Sequence, residues 1–278
     1  MPTRLEVKPT RPWRLLTLSD IRELLEYRDL MYMLMVREIK VLYKQTIIGM
    51  GWVILKPLLQ MLMFTVIFGK LAGIEKMVGG NVPYAVFAYI ALVPWSYFSA
   101  ALTNATSSLV SNSEFITKIY FPRVIIPMVP VFAKLVDFVF AFLLLIPLML
   151  YYGIPPTLHI LFLPLLVLLL VASALAGGLW LSALAIQYRD VSQAVQFLVQ
   201  LLMFASPIIW PLSFIPEKYI DYYSFYPMAG IIEGFRAAML GSPMPWEMLG
   251  RGSLTTLIVL LTGIVFYRNR EKVFADVV

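Results

Sequence analysis

Six apolar stretches, most near 20 residues long and carrying few charges, are separated along this chain by short polar connections. Twenty residues of α-helix rise about 30 Å, roughly the thickness of a bilayer's hydrocarbon core. A segment lodged there has to satisfy its own backbone N–H and C=O groups, which a helix does and an open strand does not. The chain is therefore expected to be all-α and polytopic, with lipid as its main solvent. The predicted spans are 51–73, 84–108, 128–151, 159–186, 193–214 and 252–268, the last being short because Arg251 and Arg268 bound it.

Composition agrees. Of 278 residues, 60% are hydrophobic and 14% charged, against about 45–50% and about 25% in a soluble domain. Mean hydropathy is +0.83. One membrane domain accounts for the length and leaves no room for a second, soluble one. The lack of Cys excludes disulfides and thiolate metal sites. A single histidine, His159, argues against a histidine metal centre or a catalytic triad and reads as an interface residue before the fourth span. No catalytic and no metal-ligating residue is expected.

The net charge is +6, and its distribution is more telling than its sum. An even number of spans puts both termini on one side. The segments 1–50, 109–127, 187–192 and 269–278 would then share that side, and they hold most of the Lys and Arg. The positive-inside rule makes that side cytoplasmic and explains the basic balance better than nucleic-acid binding does. Residues 1–30 lack an apolar run of signal-peptide type, so no cleavable leader is expected.

Residues 1–27 read as a polar cytoplasmic tail and 269–278 as a second one, with a six-helix membrane domain over 28–268. Within it, 28–46 is amphipathic: Met35, Val36, Ile39, Leu42 and Tyr43 recur at helical spacing, opposite a stripe of Arg37, Lys40 and Lys44. It is too charged to span and is expected to lie in the cytoplasmic interface. The alternative is a cytoplasmic start to the first span. Two connections are long. The loop 109–127 suggests a short helix capped by Ser111 or Ser113 and closed before Pro122. The external segment 215–250 is punctuated by Pro216, Pro227, Pro243 and Pro245, has a helical core at 228–240, and reads as short re-entrant or surface helices forming a gate hairpin before the last span.

Five strings carry a family resemblance: REIKVLYKQTIIGMGWVILKPLLQ from Arg37, NSEFITKIYFPRVIIP in the cytoplasmic loop, YRDVSQ, SPIIWP and PMAGIIEGFR. In this order and spacing, over about 28–270, the chain resembles the membrane subunit of polysaccharide-exporting ATP-binding-cassette transporters, the type-2 exporter permeases, most closely the O-antigen branch. The resemblance implies two copies of the permease working with two separate cassette ATPase subunits in the bacterial inner membrane. The cargo would be a lipid-linked polysaccharide. No G-x-x-x-x-G-K-[ST] phosphate cradle occurs here. The chain would thus hold no cofactor itself, ATP and Mg²⁺ belonging to the partner.

The resemblance assigns ATPase coupling to the first cytoplasmic loop. There Glu114 and Lys118 stand at i, i+4, and Phe115, Ile119 and Tyr120 offer an apolar, aromatic knob. An ordinary connector is the alternative. A sugar passage needs weak hydrogen-bonding groups and aromatic faces, because each buried sugar hydroxyl left without a partner costs about 1–3 kcal/mol. Candidates are Trp52, Lys56 and Gln60 on the first span, then Tyr89, Ser96, Ser99, Thr103 and Thr106 on the second. Gln193, Gln196 and Gln200, with Phe197 and Phe204 beside them, mark the fifth. Interhelical hydrogen bonds and interfacial belts are the competing reading of these stripes, and Trp95 and Tyr97 fit a belt equally well.

Lys134 and Asp137 at i, i+3 read as a structural ion pair in the third span rather than a proton relay, since the spans supply almost no other carboxylate. Arg189 and Asp190 suit local pairing or helix capping, or a gate beside the ATPase. Glu233 and Arg236 suit a hairpin-stabilising pair. The leading function is export of O-antigen-type polysaccharide. Teichoic acid or capsule export by the same architecture is the near alternative. A membrane-embedded transferase acting on lipid-linked sugars is the distant one, disfavoured because the acidic residues are scattered.

Overall fold

In a computed structural model the chain is described over residues 18–44, 48–78, 82–113 and 121–271, and every regular element among them is helical. Helices α1 (Leu18–Glu26) and α2 (Arg28–Tyr43) precede α3 (Gly51–Phe64), which runs on as a π-helix through Thr65–Leu71. Helix α4 (Tyr84–Ser111) follows. Helices α5 (Ile125–Leu143) and α6 (Leu145–Tyr151) make one apolar rod. A 3-10 turn at Leu158–Phe162 leads into α7 (Leu163–Ala185), followed by α8 (Asp190–Ala205). The chain then forms α9 (Glu217–Tyr223), α10 (Pro227–Leu240) and α11 (Trp246–Glu271).

Five of these rods are long and apolar enough to cross a bilayer: Gly51–Leu71, Tyr84–Ser111, Ile125–Tyr151, Leu158–Ala185 and Trp246–Glu271. The predicted fifth span, 193–214, differs. Helix α8 stops at Ala205 and has 16 residues, so it rises only about 24 Å. Pro207 follows, with no N–H to donate and a bias against helical backbone at the residue before it, a bias that Pro57, Pro94 and Pro130 overcome inside their helices. Ser206 turns to an extended ψ of 150°. The last span is longer than predicted. Arg251 does not end it, because its guanidinium is held by the Asp221 carboxylate and by Ser224 Oγ at 3.0 Å, inside the helix.

Helix α4 is the axis of the bundle: 83% of its apolar window is buried. It packs against α5 and α7, and α7 in turn packs against α11. Close approach comes from small residues, as is usual where lipid supplies no hydrophobic drive between helices. A Cβ on Gly178 would sit 2.9 Å from Ala105 Cβ on α4, and one on Gly263 of α11 would sit 2.8 Å from Trp180 of α7. Gly178→Val is therefore expected to wedge α4 from α7 and to destabilise the fold by about 1–3 kcal/mol. A thermal melt of the purified permease checks this, and an unchanged midpoint would rule out the tight contact.

Helix α2 lies along the end of the bundle. Its buried face starts earlier than the sequence pattern suggested: Leu30, Met31, Leu34 and Met35 pack on a cluster containing Phe121, Ile126, Val129 and Tyr267. Helix α10 is nearly all buried. Pro227 opens it at a position that needs no N–H. Gly241 closes it at φ +75°, a left-handed cap that a side chain would strain. Thr157 Oγ1 donates to the Ala238 carbonyl at 3.0 Å in the same last turn.

Candidate functional site

Two of the apolar helices are the least covered. Only 17% of the first span's apolar window is buried, and on α8 only Val195 and Val199 are. The two touch through Gln60, whose Nε2 donates to Met203 Sδ at 3.3 Å. Trp52 and Lys56 are exposed on α3. On α8, Gln193, Gln196 and Gln200 are all exposed, with Phe197 at 61% and Phe204 at 55%. The sequence stripes of these two helices thus occupy one open side of the protomer. Three glutamines in an apolar helix are unfavourable against hydrocarbon. Such a face calls for water, a polar polymer or another protein surface.

The stripe on α4 is different. Tyr89 is fully buried, its hydroxyl donating to the Ala141 carbonyl at 2.9 Å. Thr106 is fully buried and donates to Leu102 O at 2.7 Å. Ser99 donates to Ser96 O at 3.2 Å, and Ser96, Ser99 and Thr103 are half-buried. Trp95 and Tyr97 are also inside, with Tyr97 Oη donating to Val131 O at 3.0 Å. Tyr89 and Tyr97 thus bond across to α5, whereas Ser99 and Thr106 bond carbonyls of α4 itself. Because α4 is central, both its polar and its apolar faces meet other helices.

At one end of the open side lies an apolar cleft of about 470 Å³, lined by Phe68, Phe204, Ile209, Trp210, Phe214 and Ile215. Beside it, Arg236 is fully buried, donating to Glu233 Oε1 at 2.6 Å and to the Ile208 carbonyl at 3.0 Å. Its guanidinium lies 3.5 Å from the centre of the Phe87 ring. The pair expected to brace the hairpin therefore also reaches α4 and the irregular segment after α8. Burial holds the Tyr223 hydroxyl far above its usual pKa, so it remains a hydrogen-bond donor.

At the other end, a cavity of about 270 Å³ lies between α2, α4 and α5, with Arg37, Asn104, Ser107 and Ser111 on its polar side. Lys40 and Lys44 are exposed on α2. Lys134 Nζ donates to Asp137 Oδ2 at 2.8 Å, and Tyr43 donates to the other carboxylate oxygen. Burial, and then that bond, raise the Tyr43 hydroxyl pKa well above its usual value. Sequence reasoning placed Tyr43 on an apolar face and missed this tie between α2 and α5. Arg189 and Asp190 are both exposed, Asp190 lying in the first turn of α8, where a carboxylate suits the helix dipole.

The coupling candidates Glu114, Phe115, Lys118, Ile119 and Tyr120 lie outside the described residues. The anchors flanking them are described. Asn112 Nδ2 donates to Ser108 O at 2.9 Å, ending α4. Arg123 donates to the Glu271 carbonyl at 2.7 Å, and Tyr267 Oη donates to the Arg123 carbonyl at 2.9 Å. No sequence signal pointed to Tyr267. Among the described residues no cluster of three or more His, Cys, Asp or Glu could hold a metal.

Among the described residues the protein is thus all-helical, with a central buried rod, one open side that carries polar groups and a helical hairpin before the last rod. It is similar to several known proteins. An O-antigen export system permease protein RfbA from Myxococcus xanthus is 28% identical over 260 residues, covering 92% of this chain and 98% of the relative. An RfbA from Klebsiella pneumoniae is 26% identical over 251 residues, covering 90% and 95%. The polysialic acid transport protein KpsM of Escherichia coli is 24% identical over 243 residues, covering 86% and 92%. The family profile described as ABC-2 type transporter matches residues 29–240. This chain is accordingly a non-catalytic membrane permease of the ABC-2 type transporter family.

Proposed function

We propose that this permease exports a lipid-linked polysaccharide of the O-antigen type from the cytoplasm across the inner membrane. Two copies enclose the conduit, and two separate cassette ATPase subunits power it. The observation that carries the reading is the glutamine stripe Gln193, Gln196 and Gln200, exposed together with Phe197 and Phe204 on the least covered side of the bundle. Amide groups hydrogen-bond a passing hydroxyl weakly, and aromatic faces let a sugar ring slide. Strong charges would trap the polymer, and none stands on that face of α8 between Gln193 and Phe204.

In this reading the chain crosses six times, with α8 and the irregular residues after it completing the fifth crossing. Both termini are cytoplasmic. The domain division is that of the sequence: tails at 1–27 and 269–278 around a 28–268 membrane domain. Helix α2 lies at the cytoplasmic interface, with Arg37, Lys40 and Lys44 toward headgroups. The loop carrying Glu114, Phe115, Lys118, Ile119 and Tyr120 docks the ATPase. The hairpin of α9 and α10 stands at the outer mouth, and Lys134–Asp137 and Glu233–Arg236 are structural pairs. The likeness to the polysialic acid transport protein supports a second cargo, an acidic capsule chain.

A clean deletion is expected to abolish the surface polysaccharide and to leave polymer accumulating inside the cell, measured by gel and glycan composition of the two fractions. The composition separates O-antigen from capsule. Normal surface polymer in the deletion would refute export altogether.

A further inference from the structure

The backbone after α8 would be expensive in a membrane if it stood alone. An irregular stretch is tolerated at that depth only where protein satisfies its polar groups. Here five of the carbonyls from Phe204 to Ile209 are satisfied, four of them by side chains. Phe204 O accepts from Trp210 Nε1 at 3.2 Å, and Ala205 O from Tyr223 Oη at 2.7 Å. Ser206 O accepts from the Ile208 N–H at 2.7 Å, a tight turn around Pro207. Ile208 O accepts from Arg236 at 3.0 Å, and Ile209 O from Tyr84 Oη at 2.7 Å. Ser206 Oγ pairs with Tyr226 Oη at 2.9 Å.

The donors come from three directions: α4 supplies Tyr84, α9 supplies Tyr223 and α10 supplies Arg236. None lies on α8. A continued helix would have bonded these carbonyls internally, so the arrangement ties the end of α8 to the hairpin and to the central rod. Side-chain bonds of this kind can be exchanged for water without unwinding any helix. Ser206 and Ile208 have no exposed surface, while Phe204, Ile209 and Trp210 line the cleft beside the open side. A shift of this segment would therefore change the shape of that cleft.

We propose that Ser206–Trp210 is the hinge on which the outer mouth opens, and that Arg236 and Tyr84 are positioning residues that hold it closed through the Ile208 and Ile209 carbonyls. Arg236 is suited to this. One arm of its guanidinium is fixed by Glu233, the plane rests on Phe87, and the other arm is left for the hinge. The inference rests on the export reading for its role, and its test is independent of cargo.

The chain has no cysteine, so Ser206→Cys introduces a unique thiol at a site with no exposed surface. The full chain with its ATPase subunit, in right-side-out membrane vesicles, is treated with a membrane-impermeant maleimide. Labelling is expected to be slow in this parent. Tyr84→Phe, which removes one hydroxyl donor and no volume in the core, and Arg236→Lys, which keeps the charge beside Glu233, are each expected to speed it by about tenfold. Should Arg236→Lys fail to reach the membrane, Tyr84→Phe and Trp210→Phe carry the test.

A thiol at Ser173, buried on α7, serves as the control for general loosening. Equal Ser206→Cys labelling in parent and variants would overturn the hinge, and so would equal acceleration at Ser173→Cys. Loss of surface polymer in the deletion with unmoved labelling would leave export standing and remove the hinge. Moved labelling with normal surface polymer would do the reverse.

Discussion

Lys134→Met is expected to destabilise the permease by about 3 kcal/mol, the lower end of the range for stripping one partner from a buried ion pair. The pair sits well inside the α5–α6 rod, and the side chains keep only 10% and 23% of their exposure. Removing the ammonium leaves the Asp137 carboxylate with Tyr43 as its one remaining side-chain donor among the described residues. An uncompensated carboxylate in a membrane helix costs at least about 2.5 kcal/mol. The double variant Lys134→Met with Asp137→Asn is expected to recover most of the loss, because the amide oxygen still accepts from Tyr43 and carries no charge. Melting midpoints of the purified variants, compared as a double-mutant cycle, decide it. Equal destabilisation in the single and double variants would mean the pair does more than neutralise charge. A proton-relay role would then have to be tested through transport at varied pH.

Replacing Gln193, Gln196 and Gln200 together by Leu is expected to cut surface polysaccharide by about tenfold or more while leaving the folded permease intact. A wall that cannot hydrogen-bond makes each passing sugar hydroxyl lose water without a partner, at about 1–3 kcal/mol apiece. The folded protomer should tolerate the change, since all three side chains are exposed and none has a bonding partner among the described residues. Surface polymer is read by gel, and assembly by copurification of the ATPase subunit. Full export with the triple variant would remove the stripe from the conduit. Loss of the permease pair without loss of monomer would place the glutamines in an intersubunit contact instead.

The two helices carrying the open side were legible in the sequence because helical spacing alone aligns Gln193, Gln196 and Gln200. Hydropathy also marked the rods. It could not mark the end of α8, since Pro207, Ile208, Ile209 and Trp210 are as apolar as the helix before them. The signal there was stereochemical, a proline that disfavours helix at Ser206, and it was weak because Pro57, Pro94 and Pro130 sit inside helices. On α4 the two fully buried members of the stripe, Tyr89 and Thr106, could not be told apart from the rest. Both have the polarity of a channel wall, but whether a hydroxyl faces a lumen, a neighbour's carbonyl as Tyr89 does, or its own helix as Thr106 does depends on which helix is central, and one helix's periodicity does not contain that. The Tyr43–Asp137 bond links positions 94 apart, and the Arg123–Glu271 bond positions 148 apart. Such ties follow from packing and leave no local trace.

The bolts at Arg123 give the last helix a second duty. Glu271 and Tyr267 grip both the side chain and the carbonyl of Arg123, in the downstream part of the loop 109–127, so that end of the loop and α11 share one footing. The close Gly263–Trp180 contact then leaves little slack between α11 and α7. Under the proposed ATPase docking, a push delivered at that footing would load two rods at once, with α11 as a strut rather than as the closing stave of a barrel.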